Sequence, residues 1–165
     1  MLNQQLPIQT YRRDHFYVST DAAKLDIEMI HDYLCNRSYW AKEIAKERVI
    51  RLVNHSFCFG VYVVDNGEYR QIGFARAVTD FTTCAYISDL FILEAYRGFG
   101  LGKWLVECML NSPELQGLRK WMLHTQDAHT LYTRFGFQPY AVPENYLEFR
   151  PKSTPPAPPT ALDQP

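Results

Sequence analysis

The spacing of apolar residues divides the chain into alternating extended and helical stretches. Phe16 to Ser19 is predicted as a short strand, with Thr20 and Asp21 behind it as helix-capping residues. Ala23, Ile27, Ile30 and Leu34 then fall on one helical face. A second helix is predicted from about Ala41 to Asn54, with Ala41, Ala45, Val49 and Leu52 turned inward. On its outer face Glu47 and Arg51 have the i,i+4 spacing of an ion pair. Two extended runs follow, Phe57 to Val64 and Tyr69 to Thr79, separated by Asp65-Asn66-Gly67-Glu68. An Asn-Gly pair between such runs signals a hairpin, because both central turn residues need positive φ. Ala85 to Leu93 is a third extended run, apolar on both faces toward its end, as in a central strand covered on both sides.

Further along, Leu101, Leu105, Cys108 and Met109 mark one side of a helix that stops near Pro113. Trp121 to Thr125 reads as a strand. Ala128, Leu131 and Phe135 read as a short helix closed by Gly136, which suits a left-handed cap. Tyr146 to Phe149 reads as a last strand. The composition changes after Arg150, with Pro151, Pro155, Pro156, Pro158, Pro159 and Pro165 close together. Such a stretch offers few backbone donors and little apolar surface, so 151–165 is expected to be a flexible tail. The pattern predicts one mixed α/β domain with an early helix pair and a central hairpin.

Composition narrows the function classes. The 165 residues suit one domain, and 47% apolar and 15% aromatic content fits a packed body rather than a disordered one. Formal net charge is -1 with Lys and Arg scattered, which argues against a nucleic-acid partner. No run approaches the roughly 18 apolar residues of a membrane span, so no membrane partner is expected. Met1 to Thr10 lacks the basic start and apolar core of a secretion signal, and a cytoplasmic location is expected. Cys35, Cys58, Cys84 and Cys108 form no C-x-x-C pair, and the histidines show no H-E-x-x-H spacing. Buried thiols and no metal are expected.

The chemistry concentrates between the third long strand and the helix after it, at Arg97-Gly98-Phe99-Gly100-Leu101-Gly102. Glycines let the backbone turn tightly and come close to a ligand, and the amides entering a helix lack intrachain partners. A helix N-terminus of that kind suits an anionic phosphate, with Arg97 adding charge at the lip. The letters fail two common phosphate motifs. The third glycine arrives one residue early for G-x-G-x-x-G, and Trp104 stands where a P-loop needs Ser or Thr after its lysine. From the glycines alone, a turn that only connects two elements is as good a reading.

The segment resembles the R/Q-x-x-G-x-G/A signature of the GNAT N-acyltransferases, and it sits between a strand and a helix as in that family. The downstream Thr125-Gln126-Asp127-Ala128-His129-Thr130-Leu131-Tyr132-Thr133-Arg134-Phe135-Gly136-Phe137 is similar to the family's second cofactor segment, N-x-x-A-x-x-L-Y-x-x-x-G-F. Ser38-Tyr39-Trp40-Ala41 resembles a bacterial subfamily of acetyltransferases. The resemblance implies the GNAT fold over 14–150, a mixed, mostly antiparallel twisted sheet flanked by helices on both faces, with 1–13 as an N-terminal extension.

It also implies roles. Backbone amides from Arg97 through Gly98, Phe99, Gly100, Leu101 and Gly102 to Lys103 would hold the pyrophosphate of acetyl-CoA. The backbone of Phe91, Ile92 and Leu93 would pair with the pantetheine arm, and Thr125 and Asp127 would lie beside the cofactor. Tyr132 falls on the general-acid tyrosine, protonated at neutral pH because a free tyrosine has a pKa near ~10. On the residues alone it is one more core aromatic beside Leu131 and Phe135.

This sequence departs from the family at Thr125, usually Asn, and at Ser88, often Glu in polyamine-acetylating members. Asp89 is then the nearest carboxylate for a general base, or equally a cap or salt-bridge partner, with Asp80 or a water relay behind it. Strand alternation puts Asp89 on the face opposite Ser88. The acceptor would lie against the first helices and the hairpin, with Ser38, Tyr39, Trp40, Phe57 and Asp80 as candidate contacts. An aromatic wall there can hold an ammonium group, although such aromatics are commonly plain core. The implied partner is a small-molecule amine, with a homodimer as an open assembly state. Protein lysine or N-terminal acetylation, and a non-catalytic acyl-CoA sensor, are the rival readings.

Overall fold

The computed structural model describes residues 6–151. One six-stranded sheet runs in chain order through β1 (Thr10–Arg13), β2 (Phe16–Ser19), β3 (Phe57–Asp65), β4 (Glu68–Thr79), β5 (Cys84–Ile92) and β6 (Lys120–Leu123). Neighbours pair antiparallel except β5 and β6, which are parallel. A parallel pair needs a crossover, and helix α3 (Leu101–Leu110) lies within it.

Strand alternation divides the core between the two faces. Phe57, Phe59, Val61, Ala75, Ala77, Ala85 and Ile87 point toward α3, whose Leu101, Leu105, Cys108 and Met109 are buried against them. Cys58, Phe74 and Phe91 point the other way, into a second cluster with α1 (Ile27–Asn36) and α2 (Lys46–Asn54). Burying Cys58 and Cys108 pushes both thiols up to about 12, so they stay protonated; all four cysteines are free.

Several boundaries differ from the sequence expectation. Residues 10–13 are not an extension outside the domain but the first strand, turned back onto β2 at Asp14 (φ 54°). Asp21 caps a 3-10 turn, Ala22–Lys24, while Asp26 caps α1 by accepting from the Met29 amide. The second helix starts at Lys46, not Ala41, because Glu43 takes a left-handed conformation (φ 62°) and its amide bonds back to Cys35. Tyr146–Phe149 forms no strand. A 3-10 turn spans Pro143–Asn145, and the residues beyond it run irregularly with Leu147 90% and Phe149 86% exposed, so neither side chain finds a face to cover. Residues 152–165, most of the expected tail, lie outside the described residues.

Candidate active site

After β5 the chain makes a 3-10 turn at Glu94–Tyr96 and enters α3 through Arg97-Gly98-Phe99-Gly100. Gly98 (φ 86°) and Gly100 (φ 71°) are both left-handed, the conformation that penalises any Cβ. A Cβ at Gly98 would touch nothing within 4 Å, and one at Gly100 only Arg13 Nη2 at 3.9 Å. The glycines therefore serve the turn's shape, and the space above it is free of protein. Gly100 occupies the N-cap with no side-chain cap, so the first amides of α3 face that space unsatisfied.

The charges around the turn differ from the expectation. Arg97 does not stand at the lip. Its guanidinium folds back, donating to the carbonyl of Ile92 (3.2 Å), the hydroxyl of Tyr33 (2.9 Å) and Glu94 (3.2 Å), which pins the turn to the end of β5. The cation at the turn is Arg13 of β1, donating to the Phe99 carbonyl (2.9 Å) with its guanidinium over the Trp104 ring at 4.8 Å. Lys103 is exposed in the first turn of α3. Sequence reading missed Arg13.

Strand β5 is paired on both edges only in part. β6 accompanies it from Cys84 to Ile87 and then diverges, leaving one edge of β5 open from Ser88 onward. The Leu93 amide donates to Ile72 on the β4 side (2.8 Å), so alternation turns the N–H and C=O of Ile92 to the open edge. Among the three residues expected to meet an extended ligand, Ile92 is the one with its backbone groups outward, and Arg97 occupies its carbonyl. Phe91 is buried, stacked on Tyr33 at 3.7 Å.

Asp89 sits in a bulge where the pairing of β5 with β4 shifts register. It is non-glycine at φ 53° and only 7% exposed. Arg76 Nε donates to one carboxylate oxygen (2.5 Å) and Trp40 Nε1 to the other (2.9 Å). Arg76 also donates to the hydroxyls of Ser56 (3.0 Å) and Ser88 (3.2 Å). The bulge thus breaks alternation and brings Asp89 and Ser88 to one guanidinium, where strict alternation had separated them. Both oxygens of Asp89 are engaged, which suits a buried ion pair holding the bulge open more than a free base.

The loop between α1 and α2 closes the far side. Trp40 reaches Asp89, while the hydroxyl of Tyr39 accepts from the Gln126 amide (3.2 Å) and donates to Asp127 (3.4 Å). Ser38, by contrast, is buried and hydrogen-bonds to the Leu34 carbonyl (2.6 Å), closing the helix end. Thr125 accepts from the Ala128 amide (3.0 Å), starting the short helix α4 (His129–Thr133) on which Tyr132 lies. Tyr132 is 8% exposed and packs edge-on to Phe137, and its hydroxyl forms no hydrogen bond among the described residues. Burial, with smaller contributions from Tyr39, Asp127 and Tyr86, pushes its pKa up to about 12.

Two expected acceptor contacts lie elsewhere. Phe57 faces the α3 side, packed between Phe59 and Phe81, because its position in β3 alternates away from α1 and α2. Asp80 is consumed by the β4–β5 turn, accepting from the amides of Thr82, Thr83 and Cys84 and from the Thr83 hydroxyl. Its bonds to Thr83, chiefly, hold its carboxyl well below the usual range.

The described residues provide a glycine turn at a helix start, one open strand edge and, on the short helix that follows β6, a tyrosine whose hydroxyl has no hydrogen-bond partner. The model of the acetyltransferase (GNAT) domain matches residues 57–139, the stretch that contains β3 through α4. The chain belongs to the GNAT acetyltransferase family. A Gibberella zeae protein, FG08082, provisionally named an acetyltransferase, is 30% identical over 150 residues, covering 80% of this chain and 83% of that one. A GNAT-family crystal structure from Xanthomonas campestris pv. campestris is 43% identical with a TM-score of 0.77, covering 82% of this chain and 93% of the other. A Clostridium acetobutylicum protein solved with acetyl-CoA shares the fold at 15% identity and a TM-score of 0.60, over 82% of this chain and 94% of that one. GNAT enzymes use acetyl-CoA and amine acceptors. In this acetyltransferase the free amides at α3, the protein-free space above Gly98 and the outward backbone of Ile92 fit such a cosubstrate. No helix among the described residues is long and apolar enough to cross a membrane.

Proposed function

We propose that this enzyme transfers an acetyl group from acetyl-CoA to a primary amine of a small metabolite by direct attack, with Tyr132 as general acid. The observation that carries the reading is the edge of β5 that β6 leaves open, with the glycine turn following β5 and an unpaired Tyr132 hydroxyl on the short helix that follows β6. Acetyl-CoA supplies the activated acyl carbon and a thiolate leaving group. Residues of the turn, from Gly98 to Lys103, hold its pyrophosphate, with Arg13 completing the charge. Ile92 pairs with its arm, and Thr125 and Asp127 border it.

The acceptor nitrogen enters beside Tyr39 and Trp40 as a free amine, its ammonium proton already lost to cleft water. As its C–N bond forms and the C–S bond breaks, the nitrogen releases its extra proton to cleft water, while the Tyr132 hydroxyl gives its proton to the departing sulfur and regains one from solvent. Its raised pKa keeps the hydroxyl protonated at neutral pH and makes it a weaker acid than free tyrosine, so transfer has to be concerted with C–S cleavage. Asp89 serves by position. Tied to Arg76 and Trp40, it fixes the bulge that exposes the strand edge. The test is thiol release from acetyl-CoA across a panel of small amines and short peptides. Turnover with small amines supports the reading, turnover with peptides alone replaces the acceptor class, and tight acetyl-CoA binding without turnover makes the protein a sensor.

A further inference from the structure

The α2 face of the sheet carries a groove of about 560 Å³ that none of the preceding roles uses. Arg48 and Arg51 of α2, with His55 just beyond its end, form one wall, and Ser56, Arg76 and Val78 form the other. No carboxylate among the described residues lines it. The chain as a whole is slightly acidic, so this concentration of cations is local rather than a sample of the composition.

The charges in the groove are unequally satisfied. Arg76 is engaged by Asp89, Ser56 and Ser88 through all three of its nitrogens. Arg48 and Arg51 are exposed and form no ion pair among the described residues, and the Glu47–Arg51 pair expected from the sequence does not form. Among the described residues Arg37, Lys46, Arg76, Arg97 and Arg150 have a carboxylate partner, and Arg48 and Arg51 belong to the larger set of cations that do not. Residues three apart on a helix are neighbours, so Arg48 and Arg51 present two like charges side by side. Like charges so placed oppose each other until an anion sits between them. A guanidinium fork matches a carboxylate or phosphate with two parallel hydrogen bonds.

Position makes this a substrate feature. Arg76 belongs to the groove and also grips Asp89 at the bulge, the point where the open edge of β5 begins. Through Arg76 the groove adjoins the bulge at the acceptor end of the site. We infer that the acceptor is an anionic amine, whose carboxylate or phosphate is held by Arg48 and Arg51 while its amino group reaches the cleft beside Trp40. This rests on the acetyltransfer reading above and specifies the acceptor's charge.

The experiment uses matched amines with and without an anionic group, β-alanine against propylamine and phosphoethanolamine against ethanolamine. Thiol release is followed for the full chain and for the double variant Arg48→Gln/Arg51→Gln, beside calorimetric titration of acetyl-CoA. The anionic member of at least one pair should have kcat/KM higher by ~10-fold, the scale of a charge-assisted hydrogen bond. The variant should lose that advantage through KM, leaving neutral-amine rates and acetyl-CoA affinity unchanged. The carboxylate and phosphate arms tell which anion is preferred. Equal kcat/KM within both pairs, or an anionic preference that survives the double variant, overturns the inference while leaving acetyltransfer intact. Bound acetyl-CoA with no thiol release from any amine overturns the transfer reading, and the inference with it.

Discussion

The two ends of the cleft are made of different material. The proposed acetyl-CoA end is backbone: a strand edge, two left-handed glycines and the first amides of α3, all within one continuous stretch from Ser88 to Lys103. The proposed acceptor end is side chain, built from Trp40, Arg76, Asp89 and Tyr39; the Trp40–Asp89 bond joins residues 49 apart, and Tyr39 reaches across 88 to Asp127 on the cosubstrate side. A backbone site needs particular residues only where φ is unusual. A side-chain site depends on partners that one stretch of sequence does not contain. The first should tolerate changes away from its glycines, and the second should fail cooperatively when one member is lost.

The largest effect is expected from Asp89→Ala. Arg76, with its side chain 16% exposed, would be left buried and unpaired, and breaking such a pair costs ~3–5 kcal/mol. Urea unfolding should show a midpoint drop of that size, with turnover falling too. A loss under ~1 kcal/mol, the range of an exposed pair, would mean that the bulge does not depend on this ion pair.

Tyr132→Phe keeps the ring and its contact with Phe137, so folding should survive. Turnover should drop ~10²-fold, the low end for a positioned acid, while acetyl-CoA affinity stays within about twofold. An unchanged rate with a chemistry-limited acceptor would make Tyr132 a packing residue. Its raised pKa also fixes a sign. The folded state favours the protonated hydroxyl, so this contribution to stability is complete below the unfolded value near ~10 and is lost as pH rises toward about 12. Stability of the Phe variant should fall less steeply than wild type across that window.

Gly98→Val tests the backbone end. Nothing would clash with the new side chain, so the penalty comes from φ alone, ~1–2 kcal/mol. Acetyl-CoA binding should weaken ~10-fold, with kcat at saturation nearly unchanged. Unaltered binding would show that the turn does not hold the cosubstrate. Arg13→Gln should have the smallest effect, weakening acetyl-CoA about threefold at low salt and less at high salt, as an exposed charge contact does.

The same contrast explains what was legible in the sequence. The glycine turn, α3 and the β3–β4 hairpin rest on local patterns and appear where those patterns put them. Asp89 was legible as a carboxylate that could serve as a base or a salt-bridge partner, but its partner Arg76 and its bulge were not, because they are set by other elements. Phe57 and Asp80 looked like acceptor contacts until alternation turned one into the α3-side core and a loop consumed the other. Arg13 was lost because a four-residue edge strand is too short for periodicity to mark.

Backbone amide chemical shifts during titration with acetyl-CoA test the central claim most directly. The largest changes should fall on Ile92 and on Gly98 through Lys103, with Arg13 following and the α2 groove unaffected. Shifts concentrated on Arg48, Arg51 and His55 instead, with the glycine turn silent, would contradict the assignment of the two ends.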